Sequence, residues 1–166
     1  MAQEHMTAAQ LPAHLAGGTA TSGGQAHARA NGLIEIALPF PPSVNGYWRN
    51  VIIPAKGGQK MRAAVLISQE GREYAKQVER LCLRLGLARM RLGGDLVVSV
   101  ALFPPDRRTR DVDNYSKALL DALTKAGVWC DDGQLSRLTV ERMDADPGNA
   151  RAEVRIMVKQ AQGRLA

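Results

Sequence analysis

The sequence predicts one mixed α/β domain, a small mixed sheet packed by two helices in the order βαβαββ. Three observations carry that expectation. Two stretches with apolar residues at helical spacing alternate with four short apolar runs of strand length. One of those runs, Leu96–Phe103 (LVVSVALF), is apolar at nearly every position, as suits a strand covered on both faces. The tetrapeptide Asp146-Pro147-Gly148-Asn149 joins the last two runs through a strong turn signal.

Each element has its own warrant. Residues 1–32 are rich in Ala, Gly, Thr, Ser and Gln, and only Glu4 and Arg29 are charged. With so little large apolar surface to bury, they are expected to form a disordered tail. The folded domain is placed at residues 33–160, with 161–166 as a C-terminal tail. Leu33–Leu38 (LIEIAL) reads as the first strand, ended by Pro39, Pro41 and Pro42. A polar loop through Asn45-Gly46 and Gly57-Gly58 is expected next. Ser68 can cap a helix whose stripe is Tyr74, Val78, Leu81 and Leu85, fading by Gly93-Gly94. After the strand Leu96–Phe103, a second helix is expected from Asp113 to Ala126. It would bury Leu119, Leu120 and Leu123 and stop at Gly127. Leu135–Met143 and Ala152–Val158 complete the strands.

Composition narrows the chemistry. The chain is 45% apolar and 23% charged but only 4% aromatic, so its core is mainly aliphatic. Lys and Arg number 22 against 16 Asp and Glu, a net charge of +6 that favours a polyanionic partner. Glu4 and Arg29 cancel, so that charge belongs to residues 33–166. All three histidines (His5, His14, His27) fall in the tail. The domain therefore has no Ser-His-Asp or Cys-His triad and no histidine metal site. Two cysteines cannot frame a disulfide scaffold. Cys82 lies beside the apolar stripe as core filler, and Cys130 is a soft, poor match to a hard cation. No apolar run nears the roughly 20 residues of a membrane helix. Met1–Ala20 makes a poor signal peptide, and a cytoplasmic setting is expected. Gly57-Gly58-Gln59-Lys60 lacks the phosphate-loop pattern, so no nucleotide cofactor is expected.

The chemistry concentrates in residues 104–132, PPDRRTRDVDNYSKALLDALTKAGVWCDD. Asp111 and Asp113 precede the helix, and Lys117 follows Asp113 by one turn on the same face. Asp131 and Asp132 come after the Gly127 stop. Clustered aspartates without His or Cys suit Mg²⁺ better than Zn²⁺. A lysine nearby can hold a phosphate as a point charge, and Arg107, Arg108 and Arg110 can bind flanking phosphates. Each group also has a plainer role open to it. Asp113 can be an N-cap, Lys117 can pair with Asp113 or Asp121, and Asp131-Asp132 can be a turn. A helix packed back along its strand would leave Asp131 and Asp132 about 20 Å from Asp111. Only the tertiary fold or a second subunit could close that gap. In Tyr47-Trp48-Arg49, Trp48 and Arg49 are candidates for base stacking and phosphate contact, with core anchoring as the alternative.

The run Asp106-Arg107-Arg108-Thr109-Arg110-Asp111-Val112-Asp113-Asn114, then Lys117, Asp121–Trp129 and Asp131-Asp132, resembles the RusA family of Holliday-junction resolvases. Leu38–Asn45 (LPFPPSVN) resembles that family's opening strand and loop. The likeness spans residues 33–158, departs at Thr109, and is interrupted by an insertion-like stretch, Val51–Ala64. It implies a Mg²⁺-dependent homodimeric endonuclease that nicks both strands of a four-way DNA junction in recombination and repair. By motif match, Asp111, Asp113 and Asp132 correspond to the essential carboxylates, which the metal would use, and Lys117 to the essential lysine. Asp131 matches an adjacent aspartate. Bacterial and phage genomes are the implied setting. Two other classes fit parts of the pattern. An aspartyl phosphotransferase would use Asp111 as nucleophile, but residues 104–110 separate the pair from its strand. A non-catalytic basic DNA-binding module would use the arginines alone.

Overall fold

A computed structural model describes residues 26–28, 32–54 and 61–159. The five-stranded sheet is built from β1 (Ala26–Ala28), β2 (Leu33–Pro39), β5 (Leu96–Phe103), β6 (Leu135–Arg142) and β7 (Arg151–Val158), in the spatial order β1-β2-β7-β5-β6. β5 and β6 are parallel and every other pair is antiparallel, so the sheet is mixed as expected. Two helices, α2 (Gln69–Arg84) and α3 (Ser116–Ala126), pack together beside it, and a one-turn α1 (Val44–Tyr47) makes a third.

The core lies between the helices and one face of the sheet. Ile34, Ile36 and Leu38 of β2, Leu96, Val98, Val100 and Leu102 of β5, and Ala152, Val154 and Ile156 of β7 are buried there. They meet Val78, Leu81 and Cys82 of α2 and Leu119, Ala122 and Leu123 of α3. Among the described residues no charged or polar side chain is classed as buried. Each fully buried aliphatic side chain stabilises the fold by roughly 1.5–3 kcal/mol. The expectation that β5 is covered on both faces is corrected. Val97, Ser99, Ala101 and Phe103 alternate onto the other face and are only half-buried.

Three further expectations change. The segment read as a polar loop forms an antiparallel hairpin, β3 (Trp48–Pro54) and β4 (Met61–Ile67), which makes its own two-stranded sheet. Val51–Pro54 and Met61–Ala64 therefore belong to its ladder, while the expected loop residues Gly57-Gly58 lie outside the described residues. Ser68 caps α2 as read, its hydroxyl accepting from Gly71 N–H at 3.0 Å, but the helix ends at Arg84 rather than near Gly93. The chain beyond it stays in the core through Leu87, Met90 and Leu92. The observed order gains β1, the hairpin and α1 over βαβαββ. Ala26–Ala28 lies within the stretch read as tail, yet it pairs with Ile34–Ile36 at the edge of the sheet. The remaining tail expectations, for residues 1–25, 29–31 and 161–166, lie outside the described residues. No helix among the described residues is long and apolar enough to cross a membrane.

The turn after α3 decides where the acidic residues fall. Gly127 has φ 75°, and a Cβ there would sit 3.1 Å from the Arg89 backbone. Glycine permits both the left-handed cap and that approach. The chain then doubles back, with Arg91 N–H donating to Gly127 O and Leu92 N–H to Val128 O, both at 2.9 Å.

Candidate active site

β5 delivers the chain into the basic loop. Arg110 donates to both carboxylate oxygens of Asp106, at 2.6 and 2.9 Å, and to the carbonyls of Asp106 and Arg108. Those hydrogen bonds hold the Asp106 carboxyl down at about 2. Arg110, expected at a phosphate, is thus engaged in folding its own loop and is largely covered. Arg142 Nη1 donates to Arg110 O at 3.1 Å and ties the loop to β6. Arg107 and Arg108 stay exposed beside a shallow depression that Arg142 and Asp144 also line.

A 3₁₀ turn, Val112–Tyr115, leads from this loop into α3, so the expected helix begins as a tighter turn. Asp111 and Asp113 flank its start and are both exposed. Asn114 Nδ2 donates to Asp111 Oδ2 at a long 3.3 Å, and Asp111 makes no side-chain cap. Among the described residues nothing donates to the Asp113 carboxylate, whose role here is not that of an N-cap. Phe40 and Tyr115 rings, 5.1 Å apart, anchor the turn to the opening loop.

Lys117 lies in the first turn of α3. Its ammonium donates to Asp121 Oδ1 at 2.6 Å and lies 3.8 Å from Asp132 Oδ2. The hydrogen bond it donates to Asp121, with the charges of Asp121 and Asp132, holds its pKa above the ordinary lysine value. Asp121 also accepts from Tyr47 OH at 3.1 Å. Burial, followed by Asp121, pushes that phenol up to about 12. Asp132 Oδ1 accepts from Thr124 Oγ1 and, at 3.2 Å, from Trp129 Nε1, which also donates to Thr124 Oγ1 at 2.6 Å. Asp132 thus reaches Lys117 and the body of α3, and no contact among the described residues joins it to Asp111. The return of the chain after Gly127 lays Asp132 alongside α3 within a single chain.

Asp131 takes the structural alternative. It caps a 3₁₀ turn, Asp132–Gln134, accepting from Gly133 N–H at 2.7 Å in a capping box with Gln134. Gln134 Oε1 accepts from Cys130 N–H, and its Nε2 donates to Leu92 O and Gly94 O. Trp48 and Arg49 open the hairpin. Trp48 is exposed and meets the Tyr47 ring edge-on, while Tyr47 is buried and anchors the loop.

The structure thus brings Lys117 and Asp132 together and leaves Asp111 and Asp113 on an adjoining open turn. Oxygen-only donors suit a hard cation such as Mg²⁺ in kind, and Mg²⁺ commonly binds through one or two carboxylates and several waters. Among the described residues no three acidic, His or Cys groups stand close enough together to hold a metal ion. Thr124, Trp129 and Gln134 were not singled out from the sequence, and Tyr47 was noted only as a stacking or anchoring aromatic, not as a partner of Asp121. Only a rule that polar groups on buried aromatics need partners could have drawn attention to Tyr47 and Trp129.

An open carboxylate pair, an anchored lysine and a basic loop at one end of a mixed sheet are the parts of a phosphodiester-handling site. Comparison with known proteins gives that class a family: the family model of endodeoxyribonuclease RusA matches residues 39–157. The crossover junction endodeoxyribonuclease RusA of Shigella sonnei is 37% identical over 114 residues, covering 69% of this chain and 86% of that protein. Its counterparts in Escherichia coli strain K12 and Enterobacteria phage 82 are 36% and 37% identical over the same length and coverage. The chain is an endodeoxyribonuclease. It belongs to the RusA family.

Proposed function

We propose that the chain is a Mg²⁺-dependent resolvase of four-way DNA junctions that works as a homodimer in recombination and repair. The observation that carries this reading is Lys117, held charged between Asp121 and Asp132 on the helix that Asp111 and Asp113 precede. Asp111 and Asp113 would hold the metal, and Asp132 would complete the set. When bound, Mg²⁺ supplies Lewis-acid polarisation of the phosphate and a more acidic water. Lys117 offsets negative charge developing on the scissile phosphate, a role that needs the ammonium form. Thr124 and Trp129 fix the orientation of the Asp132 carboxylate. Arg107 and Arg108 bind the flanking phosphates, and Arg110 keeps their loop in shape. That the three relatives are crossover junction endodeoxyribonucleases supports the junction as substrate.

The test is purified protein with a synthetic four-way junction and a linear duplex, with and without Mg²⁺. Symmetric nicks in the junction only, and only with Mg²⁺, are expected. A junction that is bound but left intact with Mg²⁺ would assign a DNA-binding module instead.

A further inference from the structure

The outer side of α2 carries a row of cations that the site does not use. Arg72, Lys76, Arg80 and Arg84 recur every four residues, so they fall on one continuous ridge of the helix. All four are exposed. Arg72 turns one nitrogen back to Ile67 O at 2.5 Å, and Arg84 sits in the last turn, where a cation suits the helix dipole. Lys76, Arg80 and Arg84 enter no ion pair among the described residues, although Glu70, Glu73 and Glu79 share the helix. Glu73 instead accepts from Gln69 Nε2 at 2.8 Å.

Helix chemistry alone does not account for the row. Like charges four residues apart destabilise a helix, and here each cation is followed by another at that distance. An anionic partner would relieve the repulsion along the whole row. Helical rise sets neighbouring cations about 6 Å apart and the two ends about 18 Å apart. Phosphates of one DNA strand recur about every 3.4 Å along the duplex axis, so the row meets alternate phosphates over roughly half a turn. The row also has a direction. Tyr47 lies against Gly71 in the first turn of α2 and donates to Asp121 of α3, while Arg89 N–H, just past α2, donates to Ala126 O at the end of α3. The two helices therefore run side by side in the same sense. The row starts at the end that holds Lys117 and leads away from it.

We infer that the row from Arg72 to Arg84 is a track for the phosphate backbone of one duplex DNA arm, leading away from the cleavage site along α2. Phosphate contacts position a duplex without reading its sequence. The track would thus set how firmly an arm is held and in which direction it leaves, without choosing the base at the cut. A lipid surface is a poorer occupant, because Leu83 is the only large apolar side chain exposed along α2. This inference deepens the nuclease reading by extending its DNA contact, and it rests on that reading for the identity of the polyanion.

The test is equilibrium binding of the full chain to a long linear duplex and to a four-way junction, without Mg²⁺ and at several salt concentrations. Lys76→Gln with Arg80→Gln should flatten the slope of log affinity against log salt by about 1.8, which is 0.9 for each lost phosphate contact. Arg137 and Arg155 lie in register with Val97 and Ser99, on the sheet face turned away from the helices. Arg137→Gln with Arg155→Gln removes the same charge there and should leave the slope unchanged. Should the first pair lower the melting temperature, Arg84→Gln alone should still flatten the slope by about 0.9. An unchanged slope in the α2 variants, or an equal change in both double variants, would overturn the inference. So would a DNA slope that holds while binding to vesicles of anionic phospholipid is lost, which would give the row to a membrane surface. An unmodified chain that binds neither DNA would overturn this inference and the nuclease reading together. A junction bound with the expected slopes yet never cut with Mg²⁺ would remove the nuclease reading alone.

Discussion

The two acidic regions around α3 are built in opposite ways. At the far side, Asp121 and Asp132 accept from Lys117, Tyr47, Thr124 and Trp129, so both carboxylates are fixed before any ligand arrives. At the approach, Asp111 accepts one long bond and Asp113 accepts none among the described residues. The first region is preorganised and holds a cation of its own. The second leaves two negative groups two residues apart and open to solvent, an arrangement that favours an incoming cation. Fixed charge that meets a developing charge lowers a barrier, whereas an open pair is available for binding.

The sharpest way to break this contrast is at the open pair. Asp113→Asn should reduce junction cleavage by about 1,000-fold or more, with Asp111→Asn similar. Junction affinity and melting temperature should hold, because neither carboxylate supports the fold. Single-turnover kinetics beside binding titrations checks this, and near-normal nicking by both variants would remove the metal assignment.

Next in size is the fixed cation. Lys117→Ala should cut the single-turnover rate by about 100-fold with little change in affinity, as for a contact made mainly in the transition state. A variant that cleaves normally once bound would leave Lys117 as a helix-surface cation paired to Asp121.

The support around that cation should matter less. Asp121→Asn should lower the rate by about 10-fold, as a misplaced rather than missing charge. It should also move the alkaline limb of the pH–rate profile to lower pH. The sign follows from the raised pKa: Lys117 loses its proton at higher pH than a free lysine because of Asp121, so removing Asp121 brings the loss forward. Tyr47→Phe removes one hydrogen bond to Asp121, worth about 1 kcal/mol, and should lower the rate by less than Asp121→Asn does. A profile unmoved by Asp121→Asn would make that carboxylate purely structural.

The smallest effects belong to the basic loop. Arg107→Ala should reduce the slope of log affinity against log salt by about 0.9, the value for one phosphate contact. The Asp106–Arg110 pair should show itself only in acid. Its carboxyl is held below the unfolded aspartate value, so the stability it contributes is present above about pH 4 and is lost as pH falls through about 2. Acid unfolding of Asp106→Asn beside the parent chain reads that difference, and identical profiles would refute the pairing.

Much of the fold was legible because its signals are local. The alternation in Leu33–Pro39, the solid apolar run Leu96–Phe103, the Ser68 cap and the Gly127 stop each depend on a few neighbours. The hairpin was missed because Asn45-Gly46 and Gly57-Gly58 read as loop signals and its strands, WRNVIIP and MRAAVLI, do not alternate apolar with polar residues. Apolar runs on both sides of a Gly-Gly pair were the available signal. In the site, the candidate residues and the Lys117–Asp121 pair at helical spacing were readable. The approach of Asp132 to Lys117 was not, since it depends on a left-handed turn, on the Gln134 bonds and on an indole that reaches back to α3. The role of Arg110 was hidden for a similar reason: a guanidinium that folds its own loop looks, in sequence, like one that waits for phosphate.

The chain contains two tryptophans, and they stand at different places. Trp129 is 1% exposed with its indole N–H on the Asp132 carboxylate, while Trp48 starts the projecting hairpin. Indole emission responds to nearby charge and to water. The protein therefore carries two intrinsic optical reporters, one for events at the acidic cluster and one for the hairpin. With Trp48→Phe, the remaining emission follows the site alone, and with Trp129→Phe it follows the hairpin alone, so the two can be timed against each other in one stopped-flow mixing experiment.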